Sequence, residues 1–380
     1  MARLWLTAAM LGVLCGGWWA GPAAAWERGA VGTFATIPFF APAGPGGSCP
    51  DGAALCTSDI EGVAVGPDGT VYTASFGFNS AGALGGYGQF FAFAPDGRLL
   101  RTFPVTGSSP HLIGGIVQNP RSVLFADLGN GSVWRIDPVS GHTSLFLQAP
   151  TVTTAPGLNA LTIDRAGNVY VSDSFQGAIW KTGPDGGMPV AWYAPSNPGQ
   201  GNLLLPTAND GEALIPPFGA NGIAFNNEGT ALYVMNTAYH SIVKIAVNPD
   251  GSAGPASVLT TGINAPDGVA IDRADTLWVV ANQGDEIVAV DPNGKAIAKR
   301  GDFDGVTRDG AIRGLLFPAS PAFSPDGHTL YVTNLALYLP YAGVPAIAVD
   351  SGWTLQVRHY DIAEIRVGQC GGEGGADVPC

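Results

Sequence analysis

Four oxygen-bearing side chains stand at one point of a recurring pattern: Glu61 in "IEGVAV", Asn159 in "GLNALTID", Asn221 in "ANGIAF" and Asp267 in "PDGVAID". Two are carboxylates and two are amides. Brought within about 4–5 Å of each other, the carboxylates would repel by roughly 4 kcal/mol at an effective dielectric of about 20, so a cation has to offset them. Two anions cancel a dication's charge, and two amide oxygens add ligands without over-neutralising it. With no His or Cys in the set, the donors select a hard ion, and their loose geometry favours Ca²⁺ over another divalent cation such as Mg²⁺. Any one of these residues alone would be read as a turn former capping a strand entry. Four in one frame favour the metal, in a site that keeps open positions for a substrate.

Glu61 and Asp267 are 206 positions apart, so the fold must gather them. "IEGVAVGPDGTVYTASFG", "LNALTIDRAGNVYVSDSFQGAIWK", "ANGIAFNNEGTALYVMNTAYHSIVKI", "PDGVAIDRADTLWVVANQGDEIVAV" and "SPAFSPDGHTLYVTNLAL" overlay as strand, tight turn, strand and polar residue, usually with a third strand following. A poorer copy runs through "LIGGIVQ", "RSVLFAD" and "GSVWRID". Short strands, Asp-Gly-type turns and no amphipathic helical stretch predict all-β structure. Anchors at Glu61, about residue 113, Asn159, Asn221, Asp267 and Ser320 are spaced by 62, 46 and 53 where the gap is definite. Six such units predict a six-bladed β-propeller with four-stranded blades. The first strand of each blade lines the channel, so the anchors converge at one mouth. The end segments "GTFATIPFF" and "VRHYDIAEIRV" are expected to complete one blade jointly and close the ring. Long loops near 34–56, 196–218, 301–318 and 337–350 should form a rim, where loops of this length are more often functional than idle.

The four anchor motifs resemble the metal-binding positions of the senescence marker protein, gluconolactonase and luciferin-regenerating enzyme family. The related calcium hydrolases, diisopropylfluorophosphatase and the paraoxonases, place Glu, Asn, Asn and Asp in that order around a catalytic Ca²⁺. The resemblance covers most of the chain as a repeat, but its specific part is those four motifs. It implies hydrolysis of lactones, aryl esters or phosphotriesters, with Ca²⁺ as Lewis acid polarising the carbonyl or phosphoryl oxygen. Asp267 is then the candidate general base or nucleophile, and Glu61 a fixed ligand.

Asp127, Asp173, Asn236, Asn282 and Asn334 each follow or end a second strand and are expected to cap their own turns. Asp173, Asn236, Asn282 and Ser320 are also candidates to support the ligands from behind, Asp173 and Asn282 by orienting Asn159 and Asp267. The second blade offers Leu112, Ile113 and Gly114 instead of a ligand. His111 and His240 are expected on exposed loops. The tryptophans at 134, 180 and 278 recur on blade strands and read as packing wedges. There is no GxSxG, and "GPGG" and "GGYG" lack the helix and Lys of a phosphate loop.

Arg3, the apolar run "LWLTAAMLGVLCGGWWAG" and "PAAAW" form a signal-peptide pattern, with cleavage expected after Ala25. Secretion or periplasmic residence follows, with no stable membrane span after processing and residues 26–380 as the propeller domain. Cys49, Cys56, Cys370 and Cys380 then suggest two disulfides, either local pairs or bridges stapling the two ends together. A net charge of −13 argues against nucleic acid as a partner and leaves a small-molecule substrate. A non-catalytic propeller acting as a ligand- or protein-binding module, its metal tying blades together, is the alternative. A lyase or condensing enzyme of the strictosidine synthase type is a third.

Overall fold

The structure, a computed structural model, describes residues 28–194, 202–206, 217–344 and 351–367. Six four-stranded antiparallel sheets make the predicted six-bladed propeller. The first strands of blades one to six are Ile60–Val65, Leu112–Asn119, Leu158–Ile163, Ala220–Phe225, Pro266–Ile271 and Pro318–Phe323. The second strands are apolar, rich in Val, Leu and Tyr, and buried along their whole length, as in Val71–Ser75 and Leu277–Ala281. Such runs can be strands only when neighbouring sheets cover both faces. Tyr233 and Met235 of blade four pack on Leu277 and Val279 of blade five, each fully buried aliphatic stabilising by about 1.5–3 kcal/mol. The outermost strand of blade one, Leu99–Pro104, is largely exposed.

Both ends of the chain build blade six. Val31–Thr36 pairs antiparallel with Asp361–Arg366, which pairs with Thr329–Asn334. This closure leaves no inner edge to aggregate. At the seam, Thr333 Oγ1 donates 2.5 Å to the Glu61 carbonyl, tying blade six to blade one.

Every first strand shifts register just after its second residue: between Ile60 and Val63, Ile113 and Ile116, Leu158 and Leu161, Ala220 and Ile223, Pro266 and Val269, and Pro318 and Pro321. Irregularities of this kind re-aim a side chain, and here they fall on the anchor position of all six blades. The anchors in register are Glu61, Ile113, Asn159, Asn221, Asp267 and Ala319. Ser320, expected as the sixth, stands one residue later. The residue after the anchor must be small, because first strands of adjacent blades nearly touch at the axis. A Cβ on Gly62 would lie 1.7 Å from the Gly114 carbonyl oxygen, and one on Gly222 2.3 Å from that of Asp267.

The tryptophans are wedges with a polar tether: the indoles of Trp134, Trp180 and Trp278 donate to Asp127, Asp173 and Asp272. Residues 301–318, expected as loop, contain a two-stranded ribbon, Phe303–Val306 with Ile312–Gly314. Cys49 and Cys56 form the local disulfide. Residues 1–25, expected as a leader, Cys370, Cys380 and most of residues 196–218 lie outside the described residues. Among the described residues no helix is long and apolar enough to cross a membrane.

Candidate metal centre and cavity

Glu61, Asn159, Asn221 and Asp267 line one cavity of about 270 Å³ at the propeller axis, each between 2% and 6% exposed. The residues that hold them stand one position beyond the second strands of blades three, four and five. Asn159 Nδ2 donates 3.2 Å to Ser174 Oγ, which donates 2.7 Å to the Ala220 carbonyl. Asn221 Nδ2 donates 2.9 Å to Thr237 Oγ1, which donates 2.7 Å to the Pro266 carbonyl. Asn282 Nδ2 donates 2.9 Å to Asp267 Oδ2 and 2.8 Å to the Pro318 carbonyl. In all three blades, then, the supporting side chain links a ligand to the start of the next blade's first strand. Glu61 is held from both sides: Gly114 N–H donates 2.5 Å to Oε2 and Ser320 Oγ 3.3 Å to Oε1.

This network leaves Asn159 Oδ1, Asn221 Oδ1 and Asp267 Oδ1 buried without a hydrogen-bond partner. A buried unpaired polar oxygen costs about 1–3 kcal/mol, and native folds keep few of them; Asp59 Oδ2, Ser132 Oγ and Arg135 Nε are the others among the described residues. Three on neighbouring strands around one axis constitute a donor set in search of a cation. Burial pushes the Glu61 carboxyl up to about 7, against the Gly114 N–H that favours its charged form. Burial first, and the Glu61 charge second, push Asp267 well above the carboxylate range. Among the described residues no Lys or Arg lines the cavity to neutralise the pair. Among the described residues no three His, Cys, Asp or Glu side chains gather; two carboxylates and two amides are the whole set. It fits Ca²⁺, whose ligands are carboxylate and amide oxygens at variable angles.

Of the four supporting residues expected, Asn282 and Ser320 touch ligands. Asp173 does not: its carboxylate accepts the Gly157 and Gln176 N–H groups and the Trp180 indole. Nor does Asn236, which donates to the Leu203 and Leu205 carbonyls and so pins a rim segment. Their side chains leave the strand away from the axis, and the next residues, Ser174 and Thr237, take the supporting role that the sequence reading missed.

Above this polar floor the walls are apolar. Phe76, Phe78, Phe175, Phe218 and Phe317 line the cavity. Phe317 is held at φ 47°, a conformation that is strained for a bulky residue. His111, expected on an exposed loop, is half-buried in this wall, its ring 4.8 Å from that of Phe78 and nearly parallel to it. Its Nδ1 lies 2.7 Å from the Phe76 carbonyl. A carbonyl can only accept, so Nδ1 carries a proton, and in the neutral ring the lone pair is on Nε2. His240 is elsewhere, its Nδ1 accepting the Ala265 N–H.

A family model described as the SMP-30/gluconolactonase/LRE-like region matches residues 108–334. The chain belongs to this family. The matched span contains Asn159, Asn221 and Asp267, while Glu61 precedes it. No curated protein matches the chain in sequence. Among solved structures, a luciferin-regenerating enzyme superposes with TM-score 0.57 at 15% identity, covering 85% of this chain and 96% of its own. A calcium-binding protein, regucalcin, from Agrobacterium tumefaciens gives 0.55 at 16%, covering 81% and 89%. A gluconolactonase from Xanthomonas campestris gives 0.53 at 16%, covering 80% and 95%. At such identities these likenesses establish the propeller fold of the SMP-30/gluconolactonase/LRE-like family member described here and nothing finer.

Proposed function

We propose that the protein is an exported calcium-dependent hydrolase of lactones or esters, phosphotriesters included, acting on a small molecule in the axial cavity. The observation that carries this reading is the set of three unpaired buried oxygens, from Asn159, Asn221 and Asp267, beside the Glu61 carboxylate. A purely structural ion would gain nothing from a cavity large enough for a substrate. The family membership, and a gluconolactonase and a calcium-binding protein among the structural relatives, agree with it. Export rests on the leader-like residues 1–25 and on the Cys49–Cys56 bridge.

In this mechanism Glu61, Asn159, Asn221 and Asp267 hold the Ca²⁺, which when bound supplies Lewis-acid polarisation of the acyl oxygen. Asn282 occupies Asp267 Oδ2 and leaves Oδ1 facing the cavity. Asp267 Oδ1 takes the proton of the attacking water as that water's oxygen bonds to the acyl carbon. The C–O bond to the leaving group then breaks, and the same proton passes to the departing alkoxide. The phenylalanine walls exclude bulk water from the developing charge.

The free Nε2 of His111 favours a second assignment, in which this nitrogen is the base and Asp267 only a ligand. Asp267→Asn and His111→Gln separate the two. Turnover of δ- and γ-lactones, phenyl acetate and a phosphotriester, with and without chelator, tests the whole reading. Chelator-sensitive hydrolysis is expected, lost in the variant that lacks the base. Calcium that raises the melting temperature without any turnover would instead mark a non-catalytic binding propeller.

A further inference from the structure

The lining of the cavity divides by blade. One residue beyond the second strand, blades three, four and five carry Ser174, Thr237 and Asn282, while blades one, two and six carry Phe76, Leu128 and Leu335; all of these but Ser174, which stands behind Asn159, line the cavity. On the polar half the hydroxyl protons and the Asn282 amide protons are already engaged. Ser174 and Thr237 each donate to a backbone carbonyl and accept from a ligand amide, and both Asn282 amide protons are engaged. On the apolar half, Leu335, Leu337, Leu339 and Val344 continue the wall that the phenylalanines begin. Apart from the metal-facing oxygens, the polar side-chain atom of the lining left without a hydrogen bond among the described residues is His111 Nε2.

From this we infer that the substrate is an apolar lactone or ester, with an alkyl or aryl body in the phenylalanine- and leucine-lined half, and that polyhydroxylated sugar lactones are excluded. The inference rests on the hydrolase reading and sharpens it. A sugar lactone carries several hydroxyls, and each one buried without a partner weakens binding by roughly 5- to 150-fold. Among the described lining residues the one free nitrogen cannot satisfy them all. An alkyl chain instead gains about fourfold per methylene buried. The cavity, about 270 Å³, lies at the small end of ligand sites, which run roughly 300–1,000 Å³, so the gain should stop after a few carbons. Phe175 and Phe218, with ring centroids 5.8 Å apart, set part of that limit.

The test compares kcat/KM of the calcium-loaded protein for γ-valerolactone, γ-octalactone, γ-decalactone and glucono-δ-lactone. Calorimetric binding of matching alkyl cyclopentanones, which cannot be hydrolysed, runs in parallel. The expected result is a rise of about fourfold per methylene until the cavity fills, with glucono-δ-lactone at least ~100-fold below the best alkyl lactone. In Phe175→Ser and Phe218→Ser the chain-length dependence flattens in both assays while calcium affinity is unchanged. Hydrolysis in which glucono-δ-lactone equals or exceeds the alkyl lactones overturns the inference and leaves the hydrolase reading standing. If nothing is hydrolysed, the hydrolase reading falls and the calorimetry decides: affinity rising with chain length upholds the apolar site, and no dependence on chain length overturns it.

Discussion

Thr237 Oγ1 fixes the orientation of the Asn221 amide. Its own proton is committed to the Pro266 carbonyl, so toward Asn221 it can only accept, and the NH₂ must face it at 2.9 Å. The oxygen is thereby turned to the axis before any ion arrives. Thr237→Val keeps the shape and removes the acceptor. Calcium affinity, measured calorimetrically, should fall about 10- to 100-fold, whereas Thr237→Ser should stay within about threefold.

Asp267→Asn removes one of two buried carboxyl groups, whose ionisation burial and the Glu61 charge oppose. Melting of the calcium-free variant should occur above that of the calcium-free parent. Saturating calcium should stabilise the parent by about 2.7 kcal/mol at a hundred times the dissociation constant and the variant by less. Turnover should fall at least ~100-fold; retained activity would remove Asp267 from the role of base.

Asp361 is buried at the start of its strand, and burial pushes its carboxyl from 3.8 up to about 7, against hydrogen bonds from Asn334 and Thr33. The folded state therefore holds a proton that the unfolded state releases. Stability from this group is complete below about pH 4 and is lost as pH rises to about 7, an effect of at most about 4 kcal/mol. Asp361→Asn keeps the bond to Asn334. Urea midpoints should show the variant more stable than the parent at pH 8 and equal to it at pH 4.

Gly62→Ala drives a methyl group into the Gly114 carbonyl at 1.7 Å. Backbone must move at the contact between blades one and two, next to a ligand. Destabilisation at the upper end of about 1–3 kcal/mol is expected by thermal melting, with a loss of calcium affinity that a surface variant such as Gly251→Ala does not share.

The ring, its six units and the shared closing blade could be read from the chain because strand-turn-strand periodicity is local chemistry. The convergence of the four anchor side chains on one cavity was legible for the same reason: each stands eight residues before a left-handed turn position, held by Gly69, Gly167, Gly229 and Asp275. Counting back eight from Gly327 gives Ala319, so Ser320 as sixth anchor was a slip that spacing alone could have caught. The supporting residues were harder. The turn in blades four and six has one more residue than in blades three and five: Asn226 N–H reaches the Ala231 carbonyl and Ser324 that of Thr329, but Asp164 reaches Asn168 and Asp272 reaches Thr276. That extra residue makes Asn236 look equivalent to Asn282, when Thr237 is. The apolar cavity and His111 were not legible, since loops with no repeat frame supply much of the wall.

Because Glu61 lies in the first blade and leans on Ser320 and Thr333 of the last, the proposed calcium site straddles the joint where the circle is sealed. A ribosome must release almost the entire described chain, through the strand ending at Arg366, before that joint can form. Until then the four donors, all released once Asp267 has emerged, are not held together by a closed ring. Assembly of the chelate and completion of the tertiary structure are thus one kinetic event, and calcium supplied during refolding should accelerate recovery at its slowest, long-range step.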